Sequence, residues 1–273
     1  AGLAAKQAER TGGHTHVDAQ GRRYVHVHDH DHEPGHGHAH GEDEGRRIEV
    51  ERRVLAKNDE AAARNRSWLR ERGLVTLNLI SSPGSGKTLL LEKTLEALRG
   101  RIGCAVIVGD QETDRDAQRL AGRGAEVRQI ETRSSCHLNA EQIAEHLPAV
   151  VGPDTRLLFI ENVGNLVCPA AFDLGEHLKI ALLSLPEGED KPLKYPVIFH
   201  HAPVTLITKI DLAPHLDWSR TACLDAIRAV RPDAQIFEVS ARTGEGMDGW
   251  IAFLECLVYA ARQEPLGAGP QNQ

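Results

Sequence analysis

Leu77-Asn78-Leu79-Ile80-Ser81-Ser82-Pro83-Gly84-Ser85-Gly86-Lys87-Thr88 reads as an apolar strand running into a glycine-rich turn, and Leu89 to Leu98 continues it as an amphipathic helix. A phosphate held at such a turn needs several backbone N–H groups aimed at one point. Only small residues let the backbone come that close, which gives Gly84, Ser85 and Gly86 their purpose. Lys87 is then the cation for the β- and γ-phosphates, and the Thr88 hydroxyl is the expected Mg²⁺ ligand. The pattern of this loop ordinarily opens on glycine, where this chain has Ser81. Strand, turn, lysine and helix in that order outweigh the departure; the bland alternative is a glycine turn without a ligand.

Outward from this element, apolar strands near 74–80, 104–109, 126–130, 156–161, 178–185, 203–208 and 235–239 alternate with helices. The alternation predicts an α/β fold of the P-loop NTPase type, a mainly parallel sheet of about seven strands with helices on both faces and ligands at the carboxyl ends. Upstream, 46–72 is rich in Ala, Glu and Arg without Gly or Pro and predicts a helix packing through Ile48, Leu55, Trp68 and Leu69, stopped by Gly73. A closing helix is expected over about 247–261. The expected division is a disordered metal-binding segment at 1–45, the nucleotide-binding domain with its leading helix at 46–262, and a frayed tail at 263–273.

Hydrophobic residues make up 41% of the 273, enough for a sizeable core. The net charge of −7 argues against a nucleic-acid partner, which needs a basic face. No stretch approaches the roughly 18 apolar residues of a membrane span and no apolar signal core opens the chain, so a cytoplasmic location is expected. The five cysteines are then better read as thiols or metal ligands than as disulfides.

Nine of the 15 histidines precede Gly45, at His14, His16, His26, His28, His30, His32, His36, His38 and His40. The surrounding residues offer almost nothing large and apolar to bury, so ordering this segment is not offset by packing. Neutral imidazole suits Ni²⁺, Zn²⁺ and Cu²⁺, and the tract reads as a multi-site store of such ions. A purification tag is the alternative, but Asp29, Asp31, Glu33 and several glycines interrupt the run.

Three clusters fall at strand ends. Gly109-Asp110-Gln111-Glu112-Thr113-Asp114-Arg115-Asp116 is an acidic loop that could hold Mg²⁺ and orient an attacking water, or could be a solvated helix start. The spacing alone leaves open which of these acids meets Mg²⁺ and which positions the water. Leu157-Leu158-Phe159-Ile160-Glu161-Asn162-Val163-Gly164 puts Glu161 where the Mg²⁺-associated acid belongs and Gly164 where its N–H can meet a γ-phosphate. A glycine on the terminal phosphate moves when that phosphate leaves. Thr208-Lys209-Ile210-Asp211 resembles the Asn-Lys-x-Asp box that recognises guanine. Asp211 accepts from the ring N–H and the exocyclic amine, a donor pair that adenine lacks. Lys209 would lie along the base, and Ser240-Ala241 resembles the second base-contacting box. Thr208 in place of Asn puts the loop-bracing hydrogen bond at risk.

Cys136-His137 follows the third strand of this series and Cys168 follows the fourth. If those strands end close together, two thiolates and one imidazole converge on one soft-to-borderline cation. The fourth ligand would be water, or Cys136 or Cys168 of a second copy across a two-fold axis. Cys104, Cys223 and Cys256 have apolar neighbours and read as packing residues.

In Ser81 to Thr88, Cys136-His137-Leu138-Asn139-Ala140 and Glu161 to Ala170, the chain resembles the HypB family of hydrogenase-maturation GTPases, and the resemblance extends over about residues 50–262. The resemblance implies a slow GTPase that binds GTP or GDP with Mg²⁺ and dimerises on GTP, with Asp110 among the Mg²⁺ ligands and Asp116 in catalysis. It further implies that Cys136, His137 and Cys168 bind Ni²⁺ or Zn²⁺ at the dimer interface. The implied partners are a HypA-type metallochaperone and the hydrogenase large-subunit precursor. The Cys-x-x-Cys-Gly-Cys motif of some members does not occur in this sequence, which leaves storage to the histidines. The Cys-Pro-His motif of the urease-type GTPases is also absent. The rival readings are a nickel buffer with a regulatory nucleotide site, a urease-type accessory GTPase, and an ATP-dependent kinase or transferase.

Overall fold

The computed structural model describes residues 14–17, 23–26, 40–110, 115–132 and 136–263. Two units divide the chain, Ala1–Glu49 and Val50–Gln273. In the first, β1 (His14–Val17) and β2 (Arg23–His26) form an antiparallel ladder pairing His14 with His26 and Val17 with Arg23. These two stretches hold valine, threonine and tyrosine, the strand-formers of a segment otherwise expected to be without order. His28, His30, His32, His36 and His38 lie outside the described residues, as does the tail beyond 263.

In the second unit the strands are β3 (Val75–Ser81), β4 (Gly103–Asp110), β5 (Ala125–Glu131), β6 (Thr155–Glu161), β7 (Leu178–Ser184), β8 (Val204–Thr208) and β9 (Gln235–Val239). They form one seven-stranded sheet in the order β5-β4-β6-β3-β7-β8-β9, every pair parallel. Parallel strands need crossovers, and the helices that supply them cover both faces. On one face Leu77 and Leu79 pack with Leu91 and Leu95 of α2 (Lys87–Leu98) and with Trp250 and Leu254 of the closing helix, which runs from Met247 to Gln263. The Trp250 indole N–H donates to Thr94 Oγ1 at 3.0 Å, so this large side chain is fully buried with its polar atom satisfied.

The other face is divided. Ile107, Leu158 and Ile160 form one cluster, and Ile80, Leu183 and Ile207 form another. Thr76 and Asn78, which point to this side of β3, belong to neither, and both are fully buried. The leading helix α1 runs from His40 to Glu71, longer at its start than expected. Of the side chains assigned to its packed side, Leu69 is fully buried and Trp68 half-buried against the core, whereas Leu55 is only half-buried. The buried face is Asn58, Ala61, Ala62, Asn65 and Leu69, a helical spacing in which asparagines take places an apolar count would give to leucine.

Candidate nucleotide and metal site

The loop after β3 turns on Gly84 and Gly86, at φ 73° and 95°, conformations that a residue with a Cβ rarely adopts. Ser81 is more than a tolerated substitute for glycine. Its hydroxyl donates to Ser82 O at 2.8 Å, lies 2.5 Å from Ser85 Oγ and accepts from Lys87 Nζ at 2.8 Å, closing the loop around the ammonium. Burial lowers the pKa of Lys87, against the pull of Glu161 and Asp116.

Glu161, at the end of β6, accepts from Thr88 Oγ1 at 2.8 Å through Oε1. Its Oε2 is buried without a hydrogen-bond partner, and burial pushes this carboxyl up to about 7, ahead of the opposing pull of Lys87. A hydroxyl and an orphaned carboxylate oxygen beside a phosphate loop fit Mg²⁺, which keeps most of its waters and takes few protein ligands.

A cavity of about 620 Å³ opens over this loop, lined among others by Asp110, Asp116, Arg119, Glu161 and Gly164. A Cβ at Gly164 would come 3.1 Å from Pro83 Cα, closer than ordinary contact, so the segment after β6 lies directly on the phosphate loop. Residues 111–114 of the acidic loop are outside the described residues. Arg119 was not anticipated. It sits on α3 (Arg115–Leu120), one turn past Asp116 and 3.9 Å from it, and pairs with Glu92 Oε2 at 2.6 Å. The Asp–x–x–Arg spacing, which puts both side chains on one helix face, is the signal that could have found it.

A second cavity of about 300 Å³ lies beside the first, where β8 and β9 end, and Lys209, Asp211 and Ala241 line it. Ser240 Oγ donates to Asp211 Oδ1 at 2.6 Å and so orients the carboxylate. Lys209, at φ 60°, crosses the phosphate loop and donates to Gly84 O at 2.6 Å. The expectation about Thr208 is overturned: its hydroxyl donates to Ser85 O at 2.7 Å, so the loop is braced by oxygen rather than by an amide.

The ligand atoms of Cys136, His137 and Cys168 all lie within 4.8 Å of one another. The route to this meeting differs from expectation, because β4 stands between the two strands concerned and their ends are not neighbours. Instead Leu138, beyond β5, packs over the end of β4. Its side chain fills the space beside Gly109, where a Cβ would meet Leu138 Cδ1 at 2.8 Å. Leu138 N then donates to Asn162 Oδ1 at 3.3 Å, which brings His137 to the side of Cys168. Cys168 opens the short helix α4 (Cys168–Ala171), and the next residue, Phe172, lays its ring 3.8 Å from that of His137. Burial lowers the pKa of His137, which favours the neutral imidazole that binds a metal. The hydrogen bond to Cys168, ahead of burial, raises that of Cys136. Cys104 and Cys223 are buried as expected, but Cys256 is exposed and is not a packing residue.

Residues 75–238 match the family described as CobW/HypB/UreG, nucleotide-binding domain. The chain is 52% identical over 212 residues to the hydrogenase maturation factor HypB of Azotobacter vinelandii, covering 78% of this chain and 70% of that one. It is 50% identical over 210 residues to HypB of Escherichia coli strain K12, covering 77% and 72%. Among solved structures it resembles HypB from Helicobacter pylori in complex with nickel, with a TM-score of 0.71 and 36% identity over 76% of this chain and 98% of that one. HypB from Archaeoglobus fulgidus matches with a TM-score of 0.70 and 37% identity, over 75% and 100%.

Proposed function

Since the chain belongs to the HypB family of P-loop GTPases, within the CobW/HypB/UreG group, we propose that it hydrolyses GTP to GDP and phosphate and uses the cycle to deliver nickel during hydrogenase maturation. The observation that carries this is the segment 161–168. Glu161 and Gly164 line the phosphate cavity at one end, and Cys168 stands in the metal cluster at the other.

Lys87 and the N–H groups of Gly84, Ser85 and Gly86 bind and orient the phosphates, where fixed positive charge stabilises the transition state. Thr88, Glu161 and Asp110 are the residues that would hold Mg²⁺, whose chemistry is to offset the phosphate charge. Asp116 orients the attacking water. Asp211, held by Ser240, selects guanine, with Lys209 and Ala241 beside the base. Loss of the γ-phosphate frees Gly164, and the shift reaches Cys168 along the same segment, so hydrolysis changes the affinity for the bound ion. Linkage requires the converse: nickel changes nucleotide affinity by the same factor.

Three ligands leave a four-coordinate site unfinished, which supports a GTP-promoted homodimer completing it from the second copy. The client is the hydrogenase large-subunit precursor and the source a HypA-type metallochaperone. The histidines at 26–40 are the nickel reservoir of a separate N-terminal segment. Calorimetry with Ni²⁺ tests the coupling: affinity or stoichiometry should differ between GDP and a non-hydrolysable GTP analogue, and equal values in both would overturn it.

A further inference from the structure

Four buried polar side chains, Asn58, Asn65, Asn78 and Glu176, line neither nucleotide cavity and supply no atom to the metal cluster. Asn78 is the oddest of them. It sits fully buried in the middle of β3, the central strand, where an amide costs free energy unless every bond is met and where an aliphatic residue forms strand better.

Its bonds lead to the metal cluster from two directions. Asn78 Oδ1 accepts from Asn162 Nδ2 at 3.1 Å, and Asn162 Oδ1 accepts from the N–H of Leu138, the residue after His137. Asn78 Nδ2 donates to Glu176 Oε1 at 3.1 Å, and Glu176 Oε2 accepts from Leu174 N at 2.6 Å, two residues past the Phe172 ring on His137. Lys179, 3.9 Å from Glu176 Oε1, donates to Ala170 O at 2.8 Å in the helix that Cys168 opens.

From the side of α1 the same two segments are joined again. Asn58 accepts from Ala140 N at 2.9 Å and donates to Asp173 O at 2.7 Å. Asn65 donates to Ala140 O at 2.8 Å and to Leu174 O at 3.0 Å. So residues 138–140, which follow Cys136-His137, and residues 173–174, which follow Cys168 and Phe172, are tied on both flanks by amides and a carboxylate from elsewhere in the fold. A buried network with its bonds met specifies one arrangement where apolar packing would allow several.

We propose that Asn58, Asn65, Asn78 and Glu176 are positioning residues that fix the two sulfur-bearing segments against each other before a cation arrives. The spacing of Cys136, His137 and Cys168 is thus set by a scaffold reaching from α1 to the strand beneath the phosphate loop. That the ion is nickel rests on the proposed function; the positioning itself does not.

The test uses the full chain with GDP, in a Cys256→Ser background that removes the exposed thiol. Glu176→Gln keeps the shape but cannot accept from both Asn78 and Leu174. Asn58→Ala places a strong helix former on α1 and leaves the sheet untouched, so the test stays readable if the first variant fails to fold. The deciding readout needs no metal: the rate at which dibromobimane, a short bis-thiol reagent, bridges Cys136 and Cys168. Fluorescent GDP affinity is the control. The bridging rate should fall several-fold with GDP affinity retained. An unchanged rate, or a fall matched by an equal loss of GDP affinity, would overturn the proposal. Nickel–thiolate charge-transfer absorbance, which the histidine tract does not produce, should show affinity for added Ni²⁺ lowered about 10–100-fold, the usual effect of removing groups behind metal ligands. If bridging falls but the parent chain shows no such absorbance, the positioning stands and the nickel reading fails.

Discussion

The two halves of the cleft are built by different means. The phosphate half is centred on one contiguous loop, Ser81 to Thr88, which turns on its own glycines and hydroxyls at the end of a single strand and is braced from outside by Thr208 and Lys209. The metal half is assembled from two segments that no neighbouring strands deliver, brought together by the packing of Leu138 over Gly109 and by buried side-chain amides. The first thus takes its shape mainly from a local backbone turn, whereas the second depends for its assembly on side-chain bonds between distant parts of the chain. Substitutions in one half should therefore leave the ground state of the other intact, with β3 and segment 161–168 as shared parts.

The sharpest break of that comparison is Lys87→Ala. Removing the cation aimed at the transferring phosphate should lower the GTP hydrolysis rate about 10²–10³-fold, the usual effect of deleting one transition-state donor, as phosphate release would report. With saturating GDP the nickel–thiolate absorbance should be unaltered; its collapse would mean that the halves are not separable. The mirror experiment is Cys168→Ala. Nickel affinity at the cluster should fall by about 10²-fold or more, since even groups behind the ligands are worth 10–100-fold, while mant-GDP titration without added nickel gives the parent affinity. A parallel loss of GDP affinity would make Cys168 part of the nucleotide site.

This difference also explains what could be read in advance. Strand, turn and helix around Lys87 are local, and the alternation beyond them carried the parallel sheet. Bringing Cys136 to Cys168 depends on strand order, which adjacency in sequence suggested wrongly, since β4 intervenes between β5 and β6. Gly109 held the clue to the packing of Leu138, but a glycine at a strand end has many uses. Asn78 was visible as a polar residue inside an apolar strand, and Asn58 and Asn65 as amides at helical spacing, yet their partners are distant and no periodicity names them.

Within the nucleotide half, base and phosphate recognition can be separated in turn. Asp211→Asn removes a charged acceptor from the guanine donor pair. Such hydrogen bonds are worth about 1.5–3 kcal/mol, so GTP affinity should fall about 10–100-fold without a gain for ATP, as competition against mant-GDP would show. Preference for ATP in the parent chain would instead favour the kinase reading.

The smallest effect belongs to Thr208, where residue type and role parted. An asparagine at this position would brace the phosphate loop with an amide; here the hydroxyl donates to Ser85 O at 2.7 Å, and Thr208 is buried. Thr208→Val keeps shape and strand preference while deleting the donor, leaving the Ser85 carbonyl without this partner. A single neutral hydrogen bond contributes about 0.5–1.5 kcal/mol, so guanine-nucleotide affinity should drop about 2–10-fold. Thr208→Asn tests the same contact from the other side and should restore affinity if bracing is all that the position does. Because Ser85 also lies 2.5 Å from Ser81, whose hydroxyl holds Lys87, part of the Thr208→Val loss should appear as slower hydrolysis at saturating GTP. An unchanged turnover with weakened binding would confine the brace to the base pocket and divide the nucleotide half at Ser85.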